Sequence, residues 1–353
     1  MKALARLAAL ALFLLLGTAA QAGELTDLPR DEPLPIRVAI AIRVIDISQV
    51  QETAGLMAAR VELTYRWQDR RLAFDRVREV RAQRSLFGDT AVAELRRIWH
   101  PAFDVENLSG APRHDQLGLV IEASGAVTLV RRLEASFRVG IDMASFPFDS
   151  QALDIILTSN RYNAHQVLPV HTAADAAHSA FPTRLQSPLW TLSRLNVRNT
   201  VYAGWSGAPH GRITFTLDAE RLYGQYLIRI FLPFLTLMSS TLVILWSTDQ
   251  TMPLAPKGAL AFTTLLALVA LSFTFESNFP GSMSQSTPIA RIISTGFLYI
   301  VSVLFLNMFL LNKDYFLARR APLMFAEIGA YVRWALPLGV LVYWTGLIVR
   351  AFV

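Results

Sequence analysis

The chain of 353 residues contains no cysteine. Disulfides, thiolate metal sites and thiol nucleophiles are therefore excluded, and an exported fold built this way is held by burial and assembly. Histidine is scarce as well. The six, His100, His114, His165, His171, His178 and His210, show no His-Glu-x-x-His spacing, and no Gly-x-Ser-x-Gly occurs, so the usual motifs of a zinc or serine hydrolase are missing. No enzymatic activity, no cofactor and no metal site is expected. A clustered basic stripe is also lacking: net charge is +6, but Arg60, Arg66, Arg70, Arg71 and Arg76 are spread out, which gives no nucleic-acid partner.

Apolar residues are in excess. They make up 53% of the chain, and the mean hydropathy is +0.37, high enough that part of the protein belongs in lipid. Lys2 and Arg6 precede an apolar run from Leu7 to Leu16 and an Ala20-Gln21-Ala22 pattern. That order predicts a secretory signal peptide over 1–22 with the mature chain starting near Gly23, and the run is shorter than the roughly 20 residues of a spanning helix.

From Leu34 to Asp218 the periodicity is two. Val38, Ile40, Ile42 and Val44 share one strand face; Val61, Leu63, Tyr65 and Trp67 share another, opposite Arg60, Glu62, Thr64 and Arg66. Further strands fall at Leu129 to Phe137, Leu153 to Leu157, Leu189 to Val197 and Ile213 to Leu217. About ten short strands predict an all-β, immunoglobulin-like sandwich over residues 23–222.

After Arg221 four apolar stretches follow, Tyr226 to Trp246, Gly258 to Phe275, Ile289 to Leu311 and Ala326 to Val349, which predict a four-helix transmembrane bundle over 223–353. Lys313, Arg319 and Arg320 then lie on the cytoplasmic side, as the positive-inside rule expects. The second stretch, with a helix expected at about 256–276, carries Ala259, Thr263, Leu266, Ala270 and Phe273 at three- and four-residue steps. Such a stripe of small, hydroxylated and apolar residues lines either a helix contact or a pore.

Several short motifs in order then carry a resemblance. Trp67-Gln68-Asp69 with Leu72, Ile98-Trp99-His100-Pro101 with Asn107, Ile141-Asp142, and Phe146-Pro147-Phe148-Asp149 resemble the pentameric ligand-gated ion channels, the Cys-loop receptors and their bacterial relatives. The match covers nearly the whole mature chain. Val139 and Leu153, with thirteen residues between them, occupy the places of the family's two cysteines, so the loop resembles the disulfide-free bacterial kind.

The resemblance implies a homopentamer in a bacterial inner membrane, with the sandwich outside and a ligand site between neighbouring sandwiches. A small molecule, a proton or a divalent cation would act as agonist, and inorganic ions would permeate. On one side of the site it places Glu106, Asn160, Tyr162, Tyr202 and Trp205, and on the neighbour's side Glu62 and Thr64. Two carboxylates with few aromatics suit a cationic amine, protons or calcium alike. The pore would be lined by Ala259, Thr263, Leu266, Ala270 and Phe273, with Leu266 as an apolar gate. Ala255-Pro256-Lys257 at the inner mouth looks like anion-selective relatives, whereas Glu276 at the outer end attracts cations; the balance leans slightly to cations. Glu52, Asp149 and Arg221, with Pro280 in the loop after the pore helix, would couple binding to opening. The competing expectation is a membrane-anchored binding or adhesion sandwich without conduction.

Overall fold

The computed structural model describes residues 25–182, 189–205, 207–247, 250–279, 282–283, 287–310 and 320–352. The expected signal segment, Pro280, Lys313 and Arg319 lie outside the described residues. The chain divides into two compact units. One comprises the chain up to Gln51, Gly55–Gly140 and Ala152–Ala219; the other comprises Glu52–Ala54, Ile141–Gln151 and the chain from Glu220 onward.

Among the described residues the first unit is a sandwich of ten strands. They are β1 (Ile36–Gln51), β2 (Leu56–Gln68), β3 (Gln83–Phe87), β4 (Phe103–Val105), β5 (His114–Glu122), β6 (Ala126–Arg138), β7 (Ser150–Ser159), β8 (Val167–Val170), β9 (Trp190–Ala203) and β10 (Pro209–Arg221). A six-stranded sheet runs β3-β5-β6-β2-β1-β8, and a four-stranded sheet runs β4-β7-β10-β9. In β2 every second residue from Met57 to Trp67 is buried, and on β1 Val38, Ile40, Ile42 and Val44 are buried. These are the faces the alternation predicts, because a period of two sends all apolar side chains to one side of a pleated strand.

The opposite sheet supplies Leu153, Ile155 and Leu157 from β7 and Ile213, Phe215 and Leu217 from β10, all fully buried. The expected strand at Leu189 to Val197 instead continues to Ala203. Its outer half is mostly exposed, and Asn199 interrupts the alternation of Leu195, Val197 and Val201; as the edge strand of its sheet it is held by pairing to β10. Val139 and Leu153 are both buried, so apolar burial stands where the family's two cysteines would be.

Among the described residues the second unit holds four helices long and apolar enough to cross a membrane: Ile228–Trp246, Leu254–Asn278, Pro288–Phe309 and Pro322–Ala351. Just before Pro233 the first opens with a wide π turn over Leu227–Phe231. Proline has no N–H to donate and its ring crowds the preceding turn, so the local ladder must adjust there. The third helix is the most enclosed, burying 44% of its apolar window against 6% for the fourth. It presents Ile289, Ile292, Ile293, Gly296, Tyr299, Ile300 and Val303 as one buried stripe.

Small residues and hydroxyls knit the helices together, as expected where lipid gives no apolar driving force. Ser240 and Thr264 hydroxyls sit 2.9 Å apart, Thr241 lies 3.0 Å from the Tyr299 hydroxyl, and Trp344 Nε1 donates to Thr295 at 2.7 Å. A Cβ on Gly296 would lie 3.1 Å from the Phe234 ring.

Candidate functional site

At one end of the sandwich, the β9–β10 hairpin folds over the ends of β4 and β7 and gathers most of the expected ligand-binding residues. Arg212 on β10 donates to Glu106 at 2.8 Å and lies 4.2 Å from the centre of the Tyr202 ring. Tyr202 donates to Asn160 Oδ1 at 3.2 Å, and Trp205 Nε1 reaches the Asn160 carbonyl at 3.4 Å. Asn160 in turn donates to Asp104 at 3.1 Å. Trp205 itself is 87% exposed, so its ring is available to a partner or ligand.

The hairpin is fixed by His210, buried and bonded at 2.7 Å to the Ser159 carbonyl. A Cβ on Gly204 would come within 2.2 Å of that imidazole, so glycine is needed there.

The other three residues lie elsewhere. Tyr162 is buried in the core, its ring 5.9 Å from Trp99, which meets Trp67 edge-on at 6.1 Å. Glu62 and Thr64 sit on the polar face of β2, on the other sheet. There Glu62 accepts from Arg132 at 2.6 Å and lies 3.7 Å from Arg43. Both expected carboxylates, Glu106 and Glu62, therefore already hold an arginine. The sequence reading missed these cations because they come from strands distant in the chain; the polar alternation of β10 at Arg212, Thr214 and Thr216 was the signal for one of them.

The second unit contains a buried charge cluster. Arg221, 4% exposed, ends β10 and donates through Nε and Nη2 to Asp149 at 2.6 and 3.0 Å. Its Nη1 reaches Glu52 at 2.5 Å and the Tyr226 hydroxyl at 3.1 Å. Gln151 Nε2 donates at 2.5 Å to the same Asp149 oxygen that accepts from Nη2, and at 2.6 Å to the Asp142 carbonyl. Burial works against the Arg221 charge, but the hydrogen bonds and attraction of Asp149 and Glu52 outweigh it and raise its pKa.

Phe146, from the Phe-Pro-Phe-Asp loop, lies 4.9 Å beneath the guanidinium. Its ring is 5.4 Å from both Tyr226 and Phe279, which are themselves 5.2 Å apart. Phe279 immediately follows the second long helix. The expected trio of Glu52, Asp149 and Arg221 is thus one hydrogen-bonded cluster, joined through three aromatic rings to the end of that helix. Gln151, Tyr226 and Phe279 are the additions that sequence alone did not give.

On the second helix, Ala259, Thr263, Leu266, Ala270 and Phe273 are all exposed, with Leu266 at 67% and Phe273 at 72%. The opposite side, Lys257, Ala261, Thr264, Leu268 and Phe275, is buried against the bundle. Glu276, three residues past Phe273, is exposed too.

A two-sheet sandwich followed by four membrane-capable helices defines a multi-pass membrane protein. The family model of the neurotransmitter-gated ion-channel ligand binding domain matches residues 26–223, more than half the chain. The protein belongs to this family of ligand-gated ion channels, which are not enzymes.

Among its relatives is the proton-gated ion channel of Gloeobacter violaceus, 25% identical over 276 residues, covering 78% of this chain and 72% of that one. The pH-sensitive chloride channel 2 of Drosophila melanogaster is 29% identical over 231 residues, covering 61% and 42%. The serotonin-gated chloride channel mod-1 of Caenorhabditis elegans is 24% identical over 251 residues, covering 68% and 47%. The chain thus spans less than half the length of these last two.

Proposed function

We propose that the chain is one subunit of a homopentameric ligand-gated channel of a bacterial inner membrane, its sandwich on the periplasmic side after removal of residues 1–22. The observation that carries this reading is the second helix. Its Ala259, Thr263, Leu266, Ala270 and Phe273 face is left uncovered while the opposite face packs. A single helix encloses no water, but cyclic repetition turns each exposed residue into a ring, with Leu266 as a constriction that dewets when closed. Glu276 is exposed whereas Lys257 is buried, which supports the lean to cations. The Drosophila and Caenorhabditis relatives are chloride channels, so ion sign is tested separately.

The agonist that fits is the proton. An amine would have to displace Arg212 from Glu106 and Arg132 from Glu62, whereas a proton needs no space between the paired groups. The Gloeobacter relative is proton-gated. On this reading the neighbour's Glu62 and Thr64 complete a site with Glu106, Asn160, Tyr202 and Trp205. Arg221, Asp149 and Glu52 then pass its state to Pro280 and Phe279.

The test is current from purified protein in planar bilayers as pH falls from neutral to about 4, across the carboxylate range. Acid-evoked current that Glu106→Gln and Glu62→Gln both shift is expected. A silent pentamer under acid, amines and calcium would sink the reading.

A further inference from the structure

Between β2 and β3 the chain runs Asp75-Arg76-Val77-Arg78-Glu79-Val80-Arg81, with one helical turn over Arg76–Glu79. Both acids serve the turn itself. Asp75 caps it by accepting the Val77 N–H at 2.8 Å, and Glu79 accepts the fork of Arg84 from β3, with Nε at 3.0 Å. Arg84 also lies 4.5 Å from the centre of the Phe74 ring, and the Phe74 N–H donates to the Ala123 carbonyl at 3.1 Å. The base of the turn is therefore anchored to the sheet.

The remaining side chains have no such task. Arg76, Arg78 and Arg81 are exposed and make no ion pair among the described residues. Val77 and Val80 are 86% and 88% exposed, so neither contributes to the core. Val80 also sits in left-handed backbone, with φ at +53°, where a β-branched side chain crowds the following carbonyl. Glycine or asparagine would relieve that strain. Folding alone does not call for an exposed, strained valine among three unpaired guanidiniums, and strain held without a packing gain points to a contact outside the chain.

From this combination of charge and apolar surface we infer that the turn docks on an anionic lipid surface, its arginines meeting phosphate-bearing headgroups and its valines entering between them. A guanidinium matches phosphate through two N–H donors at once. A soluble polyanion would use the arginines and leave both valines in water, whereas a lipid surface takes up both kinds of side chain. The docking turn is complete in one chain, so the inference stands with or without conduction. In the proposed pentamer five such turns would act together, and linked weak contacts multiply in strength.

The test uses the full chain in nanodiscs of neutral phosphatidylcholine, floated with added vesicles, so that the contact read is separate from the bilayer around the helices. Vesicles rich in phosphatidylglycerol should carry the protein upward, and pure phosphatidylcholine vesicles should not. A cationic side chain near such a surface is worth about fivefold in binding, so Arg78→Gln should weaken capture about fivefold, and Arg76→Gln, Arg78→Gln and Arg81→Gln together about a hundredfold. Val77→Ser with Val80→Ser should weaken capture about tenfold, yet leave binding of soluble dextran sulfate unchanged. All five side chains are exposed, so every variant should melt within about two degrees of the unaltered chain. Capture that the triple arginine variant retains would overturn the assignment, as would equal capture by neutral vesicles or none by either kind. Capture that depends on the arginines but not on the valines would overturn it in favour of a soluble polyanion.

Discussion

At Arg221 the guanidinium is divided among three oxygen partners, with Asp149 taking two donors and Glu52 and Tyr226 sharing the third. Removing the cation leaves two buried or half-buried carboxylates without compensation, a loss of about 3–5 kcal/mol for a broken buried pair. Sequence pattern alone suggests a simple exchange test with Asp149, but the geometry changes it. In the double variant Arg221→Glu with Asp149→Arg, the new glutamate faces Glu52. That channel should stay impaired, and adding Glu52→Gln should restore part of the evoked current per channel at the surface. Full rescue by the double exchange would show that Glu52 is no partner. His100 gives a pH test of the fold itself. Burial first, and Arg161 second, lower its pKa below 6.5 against the pull of Asp104. The folded state therefore binds this proton less readily than the unfolded one, so stability is held above about pH 6.5 and lost as pH falls through it. In His100→Gln the drop in melting temperature between about pH 7.5 and about pH 5.5 should shrink by a few degrees; an unchanged drop would remove His100 from the account.

At the scale of the element, the legible parts were those set by periodicity. The buried face of β2 and the uncovered stripe of the second long helix both follow from spacing, since side-chain direction repeats every two residues in a strand and every 3.6 in a helix. The outer half of β9 was read short, because Asn199 interrupts the alternation of Leu195, Val197 and Val201 on an exposed edge strand. Nor were the arginines on Glu62 and Glu106, which arrive from β6 and β10; pairing between remote strands leaves no local mark. Tyr162 shows the converse: a resemblance put it at the ligand site, while its burial against Trp99 makes it core. The helix stripe carries its own prediction. Leu266 is the largest aliphatic residue among the exposed stripe positions, so Leu266→Ser should wet the constriction and favour opening. Single-channel recording should show spontaneous openings and a shift of activation to weaker stimulus. An unchanged activation curve without leak would move the gate elsewhere, with Phe273 the next residue to test.

For the whole molecule, the proposed five-fold assembly makes the sign of the permeant ion depend on which charges the five copies would bring to the pore. Lys257 at the start of the second helix is 4% exposed and turned into the bundle, whereas Glu276 near its end is exposed. A ring of five such carboxylates lowers the potential at that mouth and concentrates cations. Native mass spectrometry should first give five chains per particle, because without a closed ring neither charge forms a barrier. Under a salt gradient the reversal potential should then move toward the cation equilibrium value, and Glu276→Lys should move it toward the anion value. Raising salt on both sides should weaken both effects, since exposed rings are screened over about 8–10 Å. If the unaltered channel already reverses near the anion value, the exposed acidic ring does not set selectivity. The determinant then belongs at the inner mouth, where Lys257→Gln becomes the decisive variant.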